Sequence, residues 1–176
     1  AAGLTFIGPS PETMRMLGDK ASARRAAIAA GVPVIPASEV LPEPEGNMDA
    51  IREMAEAVGY PLMLKASWGG GGRGMRPILS AEELEEKVRA GRREAEAAFG
   101  NGEGYLERLI PRARHVEVQI LGDSHGNIVH LFERDCTVQR RNQKVVERAP
   151  APYLTEEQRG IVCELGLRIA RHAGYE

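Results

Sequence analysis

At 176 residues, with 43% hydrophobic and 27% charged side chains, the sequence has room for one well-packed domain or two small ones. A formal net charge of −2 argues against a general nucleic-acid binder, and 5% aromatics against a stacking platform for single strands. No apolar run reaches membrane-spanning length and no signal-peptide pattern opens the sequence; Cys136 and Cys163 are too few and too far apart for a disulfide framework or metal knuckle. A cytoplasmic protein is expected.

In chain order, residues 1–9 read as a strand already entering a turn. Ser10-Pro11-Glu12 then opens a helix with a hydroxyl cap, a proline and an acid in the first turn. A second, alanine-rich helix is expected over about 21–30 and stops at Gly31. Lys20 sits at the junction, where the helix dipole disfavours a cation, so it is a better candidate for an anion contact than a lysine on an open face. Residues 41–47, with Pro42, Pro44 and Gly46, read as a linker. Met48, Ile51, Met54, Ala55 and Val58 mark one face of a helix over 48–58. A buried strand follows at 60–64, an extended segment at 75–79, and a helix from Ser80 to about Phe99 opened by a Ser80/Glu83 capping box. Residues 105–110 form a further strand, giving a small α+β module over roughly 34–110.

The stretch Lys65-Ala66-Ser67-Trp68-Gly69-Gly70-Gly71-Gly72-Arg73-Gly74-Met75-Arg76 lies between two of those extended segments. Consecutive glycines cost backbone entropy and pack nothing, so they belong where peptide N–H groups must approach an anion. Lys65, Arg73 and Arg76 add positive charge. Gly69, Gly71 and Gly74 formally fit G-x-G-x-x-G, but that fingerprint must open a helix and Pro77 follows here. A Walker loop ends in Gly-Lys-Ser/Thr, and a kinase loop carries its lysine after the glycines rather than before. A flap over a polyphosphate remains, alongside the plainer reading of a surface hairpin that binds nothing.

Farther on, Val116, Val118 and Ile120 alternate with His115, Glu117 and Gln119 in a strand whose polar side faces away from a core. A turn at 123–127 returns the chain as a second strand over 128–132. The charged stretch 133–144 is a solvated edge or, beside that polar face, one wall of a cleft. In the second case Lys144 holds a small anion while Gln139 and Asn142 bond to a sugar or phosphate. Residues 147–152 read as an irregular loop, and Thr155-Glu156-Glu157 opens the last helix. His115, His125, His130 and His172 show no metal-ligand spacing, and no Ser–His or Cys–His nucleophile stands out.

Five stretches, "FIGPSPETMRMLGDK", "LMLKASWGGGGRGMR", "YLERLI", "RHVEVQILGD" and "ERDCTVQRRNQKVVERAPAP", resemble in this order the ATP-grasp fold and, within it, the biotin carboxylase domain of biotin-dependent carboxylases. The Ser67-Trp68 pair is most like the pyruvate carboxylases. The resemblance implies an α+β ATP-grasp fragment. Residues 1–34 would end the preceding region and connect by helices, 35–110 would be the lid subdomain, and 111–176 would begin the central lobe. It implies that Lys20 and Lys65 contact ATP phosphates, with Gly69, Gly70, Gly71 and Gly72 folded over them. Glu107 would accept from the adenine amino group, the Arg108–Leu109 backbone would meet the adenine edge, and Met75 would pack on the ring. His115, Gln139 and Asn142 would line the pocket, although Asn142 stands where the family often has histidine. Lys144 would approach bicarbonate.

The implied reaction is ATP-dependent activation of bicarbonate followed by carboxylation of biotin on a carrier domain, with Mg2+ bound by residues beyond Glu176. The implied parent is a homo-oligomer, and this piece alone would be inactive. Three alternatives stay open: the carboxylase of an acetyl- or propionyl-CoA enzyme, a non-catalytic fragment, and another ATP-grasp ligase, which would share Lys20 and Lys65 but not the run around Gln139.

Overall fold

The computed structural model describes residues 3, 4, 6–68, 75–141 and 143–176. Two helices come first, α1 (Pro11–Gly18) and α2 (Lys20–Ala29). Ser10 caps α1 through its hydroxyl, and the Asp19 carboxylate accepts from Ser22 N at 2.8 Å to cap α2. Before them, no described residue is in a strand, and Leu4, Phe6 and Ile7 are exposed. The strand expected at the start of the chain is therefore absent among the described residues.

The module expected over 34–110 is α3 (Met48–Val58), β1 (Leu62–Ala66), β2 (Arg76–Ile78), α4 (Leu84–Phe99) and β3 (Gly104–Arg108). Its sheet is antiparallel in the order β2-β1-β3. The core lies between the sheet and the two helices: Ile51, Ala55 and Val58 from α3, Leu84 and Val88 from α4, and Leu62, Leu64, Ile78 and Leu106 from the strands. Each large side chain buried there contributes about 1.5–3 kcal/mol. The α3 pattern is the one the sequence predicts; in α4, Leu84, Val88, Gly91 and Ala95 are buried. The Ser80/Glu83 capping box is not formed as expected. A 3₁₀ turn over Ala81–Glu83 precedes α4, and Glu83 reaches back to Leu79 N at 3.1 Å instead.

Gly59 ends α3 at φ 84°, in the left-handed region. A Cβ there would lie 2.6 Å from the Arg108 guanidinium, which packs against the helix end.

The second sheet is an antiparallel meander of β4 (Val116–Gly122), β5 (Ile128–Arg140) and β6 (Gln143–Arg148). The charged stretch read as an edge or cleft wall is thus the long end of β5 and the start of β6. α5 (Glu156–His172), opened by a Thr155/Gln158 capping box, covers one face. Gly166 allows this approach, since a Cβ would stand 3.2 Å from Val118. A buried carboxylate, Glu133, fixes the 149–155 connection by accepting from Arg159 Nε at 2.9 Å and Ala151 N at 3.0 Å. Thr13 donates to the Ala173 carbonyl at 3.0 Å, joining α1 to the end of α5. No helix among the described residues is long and apolar enough to cross a membrane.

Candidate nucleotide site

β1 alternates. Leu62, Leu64 and Ala66 enter the core, so Met63 and Lys65 lie on the opposite face. Antiparallel register sets Met63 against Glu107 and Lys65 against Tyr105. Lys65 and Glu107, 42 residues apart in sequence, meet there as an ion pair. At 25% and 14% side-chain exposure it is largely withdrawn from water. Tyr105 lies beside it, 5% exposed; burial first, then the Glu107 charge, push its phenol up to about 12.

Lys20 opens α2, and its ammonium donates to the Ala66 carbonyl at 3.3 Å. Burial, and next the nearby Lys65 charge, hold it below the usual lysine value. Two ammoniums thus meet at the end of β1, Lys65 paired with Glu107 and Lys20 with the Asp19 carboxylate nearby, and both can be offered to a polyanion.

The Arg108–Leu109 backbone is less available than the sequence reading expects. Arg108 N donates to the Pro36 carbonyl and Leu109 N to the Pro61 carbonyl, both at 2.9 Å. β3 is central, flanked by β1 on one side and by residues 36–41 on the other, so its amides are consumed by sheet pairing. The Arg108 side chain is also committed, donating to the Val58 carbonyl at the end of α3. Carbonyl oxygens, with a second lone pair, remain able to accept from an amino group.

On the second sheet, His115 and Gln139 are neighbours: Gln139 Nε2 lies 2.7 Å from His115 Nδ1 and donates to the Cys136 carbonyl at 2.8 Å. Lys144 is paired with Glu117, whose other oxygen accepts from Arg134 Nε at 2.9 Å. Arg134 Nη1 extends the array by donating to Gln119 Oε1 at 2.8 Å. The Lys144 hydrogen bond, and after it those from Arg134, lower the Glu117 carboxyl to about 2. The same bond raises Lys144. Sequence reasoning singled out Lys144 but missed Glu117 and Arg134 as its setting; the alternation placed Glu117 on the polar face, and only strand pairing shows what it binds.

Met75 is half-buried just before β2, and the Arg76 guanidinium is paired with Glu94 at 2.7 Å rather than left for an anion. Gly69, Gly70, Gly71, Gly72, Arg73, Gly74 and Asn142 lie outside the described residues. One cluster has metal-ligand chemistry that sequence spacing did not reveal: ligand atoms of Glu117, Cys136 and Glu147 lie within 4.8 Å of one another. Its carboxylates are engaged by cations, Glu117 by Lys144 and Arg134, and Glu147 by Arg134 at 3.4 Å. Burial also pushes the Cys136 thiol up, away from the thiolate a metal needs.

Residues 19–176 match the family described as the carbamoyl-phosphate synthase L chain, ATP binding domain. Over 175 residues the chain is 54% identical to Caenorhabditis elegans pyruvate carboxylase 1 and 51% identical to the human mitochondrial pyruvate carboxylase. Each match covers 99% of this chain but 15% of the relative, so the chain spans about one seventh of those proteins. Among solved structures, Rhizobium etli pyruvate carboxylase with the activator acetyl coenzyme A is 61% identical with a TM-score of 0.90, covering 99% of this chain and 15% of that one. Campylobacter jejuni biotin carboxylase in a β,γ-ATP complex is 45% identical with a TM-score of 0.92, over 98% and 38% of the two chains. A third, the biotin carboxylase domain of Hydrogenobacter thermophilus 2-oxoglutarate carboxylase with MgADP and bicarbonate, is 44% identical with a TM-score of 0.91. The chain belongs to the carbamoyl-phosphate synthase L chain ATP-binding family and has the α+β ATP-grasp fold of biotin carboxylase domains.

Proposed function

We propose that this chain is the nucleotide-gripping part of a biotin carboxylase in an enzyme of the pyruvate carboxylase type. The observation that carries the reading is the Lys65–Glu107 pair with Lys20 beside it. A nucleotide supplies new partners to both halves: phosphates for Lys65 and Lys20, and an adenine amino group for Glu107. Met75, His115, Gln139 and Asn142 would line the rest of its pocket. The glycines Gly69, Gly70, Gly71 and Gly72 would present amides to the phosphates, and the Arg108–Leu109 carbonyls the adenine edge. Residues 35–110 would act as the lid unit and 111–176 as the start of the central lobe, with 1–34 leading in.

In the reaction this implies, a bicarbonate oxygen attacks the γ-phosphorus of ATP and ADP leaves; the carboxyl group of the resulting carboxyphosphate then passes to N1′ of biotin as inorganic phosphate leaves and carries off the N1′ proton. Such chemistry is governed by positioning and charge neutralisation. Mg2+, when bound, supplies further neutralisation between the phosphates. Lys144 is the bicarbonate ligand in this scheme, exchanging its Glu117 partner for the incoming anion. A biotin carrier domain and further copies of the parent would be its partners.

Titrating MgATP while following the emission of Trp68, two residues beyond β1 and 48% exposed, tests nucleotide binding. A saturable change with a matching thermal shift is expected. A flat response in both measurements overturns the reading. In the full-length polypeptide, ATP hydrolysis should depend on bicarbonate, and Lys144→Met should abolish that dependence.

A further inference from the structure

The residue just after β1, Ser67, is 1% exposed, and its hydroxyl oxygen has no hydrogen-bond partner. Both its backbone groups are committed. Its N–H donates to the Glu103 carbonyl at 2.9 Å, and its carbonyl accepts from Lys20 N at 3.4 Å. The hydroxyl is therefore held by a fixed main chain while satisfying nothing, an arrangement folded proteins avoid unless something else answers it.

Its surroundings say what the answer is. Bonding between 67 and 103 extends the ladder that sets Lys65 against Tyr105. Alternation then puts Ser67 on the Lys65 face. The first turn of α2, whose amides carry partial positive charge, lies against it through Lys20. Neither carbonyl closest in sequence accepts from this hydroxyl: that of Ala66 accepts the Lys20 ammonium and that of Ser67 the Lys20 amide. A hydroxyl placed among cations and helix amides lacks an acceptor, and an anion supplies one.

Resting on the nucleotide reading above, we propose that Ser67 is a further substrate-binding residue, its O–H donating to a phosphate oxygen of the nucleotide that Lys20 and Lys65 neutralise. Access opens when the phosphate draws the Lys20 ammonium off the Ala66 carbonyl, a contact of 3.3 Å.

The test is Ser67→Ala in the full-length polypeptide, with melting and calorimetric affinity measured for MgATP and for adenosine. Without ligand the variant should melt no lower than wild type, because the lost hydroxyl had no partner. Its MgATP affinity should fall about tenfold, the usual effect of losing one hydrogen bond to a charged group, while its adenosine affinity holds. Ser67→Cys, which keeps the volume with a weaker donor, should fall between. Unchanged MgATP affinity overturns the proposal, as does an equal loss for ATP and adenosine. So does a ligand-free melting point below wild type, since the hydroxyl would then be structural. If wild type itself fails to bind MgATP, the reading of the whole site falls first and this inference with it.

Discussion

Glu107→Gln separates the two jobs assigned to the Lys65–Glu107 pair. The substitution keeps the shape and an acceptor oxygen but leaves Lys65 without its counter-charge, beside a second ammonium at Lys20. Exposed pairs contribute about 0.2–1 kcal/mol and breaking a fully buried one costs about 3–5 kcal/mol. With side chains 25% and 14% exposed, this pair lies between those limits. A cost of about 2 kcal/mol follows, which lowers the melting temperature by about 4–8 °C in a unit of this size. Ligand effects should split in sign. Inorganic triphosphate should bind tighter, because Lys65 is already released, whereas adenosine should bind weaker, because a neutral amide replaces a carboxylate acceptor. Calorimetric titration of both ligands reads the split. Affinities that move together, or a melting point that does not move, refute the assignment.

Two further outcomes follow from ionisation. Lys20 is held below the usual lysine value by burial and by Lys65, and a bound triphosphate would raise it. Above its ligand-free pKa, nucleotide binding should therefore take up a proton and affinity should decline as pH rises; calorimetry in buffers of different ionisation enthalpy counts that proton. Glu117 titrates at about 2 rather than near 4.5, chiefly through its Lys144 hydrogen bond. A depressed carboxyl stabilises the fold above the unfolded value and loses that contribution as pH falls through the folded one. The stability difference between wild type and Glu117→Gln, from urea unfolding, should therefore shrink by about 1–2 kcal/mol between pH 5 and pH 2, after discounting for solvent screening.

What was legible in the sequence was what local periodicity and capping decide. The face of α3 is written in Ile51, Ala55 and Val58, and β1 follows from a short apolar run behind Pro61. The full reach of β5 was not legible, because residues 133–140 carry charges that looked like solvent. Those charges are tolerated in a strand because Glu133 and Asp135 are buried against partners supplied from elsewhere, Arg159 and Arg148. The expected opening strand did not form: Leu4, Phe6 and Ile7 have strand composition but stay exposed, and none of them is paired into a sheet. Within the site, Lys20 and Lys65 stand out singly from their places at a helix junction and before the glycines, and Glu107 through a family likeness alone. That Lys65 and Glu107 satisfy one another is a fact of register, which no single segment carries.

The pairing also explains how two ammoniums can wait near each other in a half-buried place. Glu107 opposes the charge of Lys65 and Asp19 that of Lys20, whereas two bare lysines would repel each other and lower each other's affinity for protons. Pairing sets a condition on what can bind. An anion that captures Lys65 strands a carboxylate that is only 14% exposed, and leaving such a charge without a partner offsets much of the gain. Inorganic phosphate meets that penalty in full. ATP avoids it, because the molecule that takes the lysine with its phosphates also brings an amino group to the glutamate. Selectivity for a complete nucleotide over its fragments is thus built into the exchange of partners. ATP should accordingly outbind the sum expected from adenosine and triphosphate measured separately in the wild type, and in Glu107→Gln that advantage should disappear.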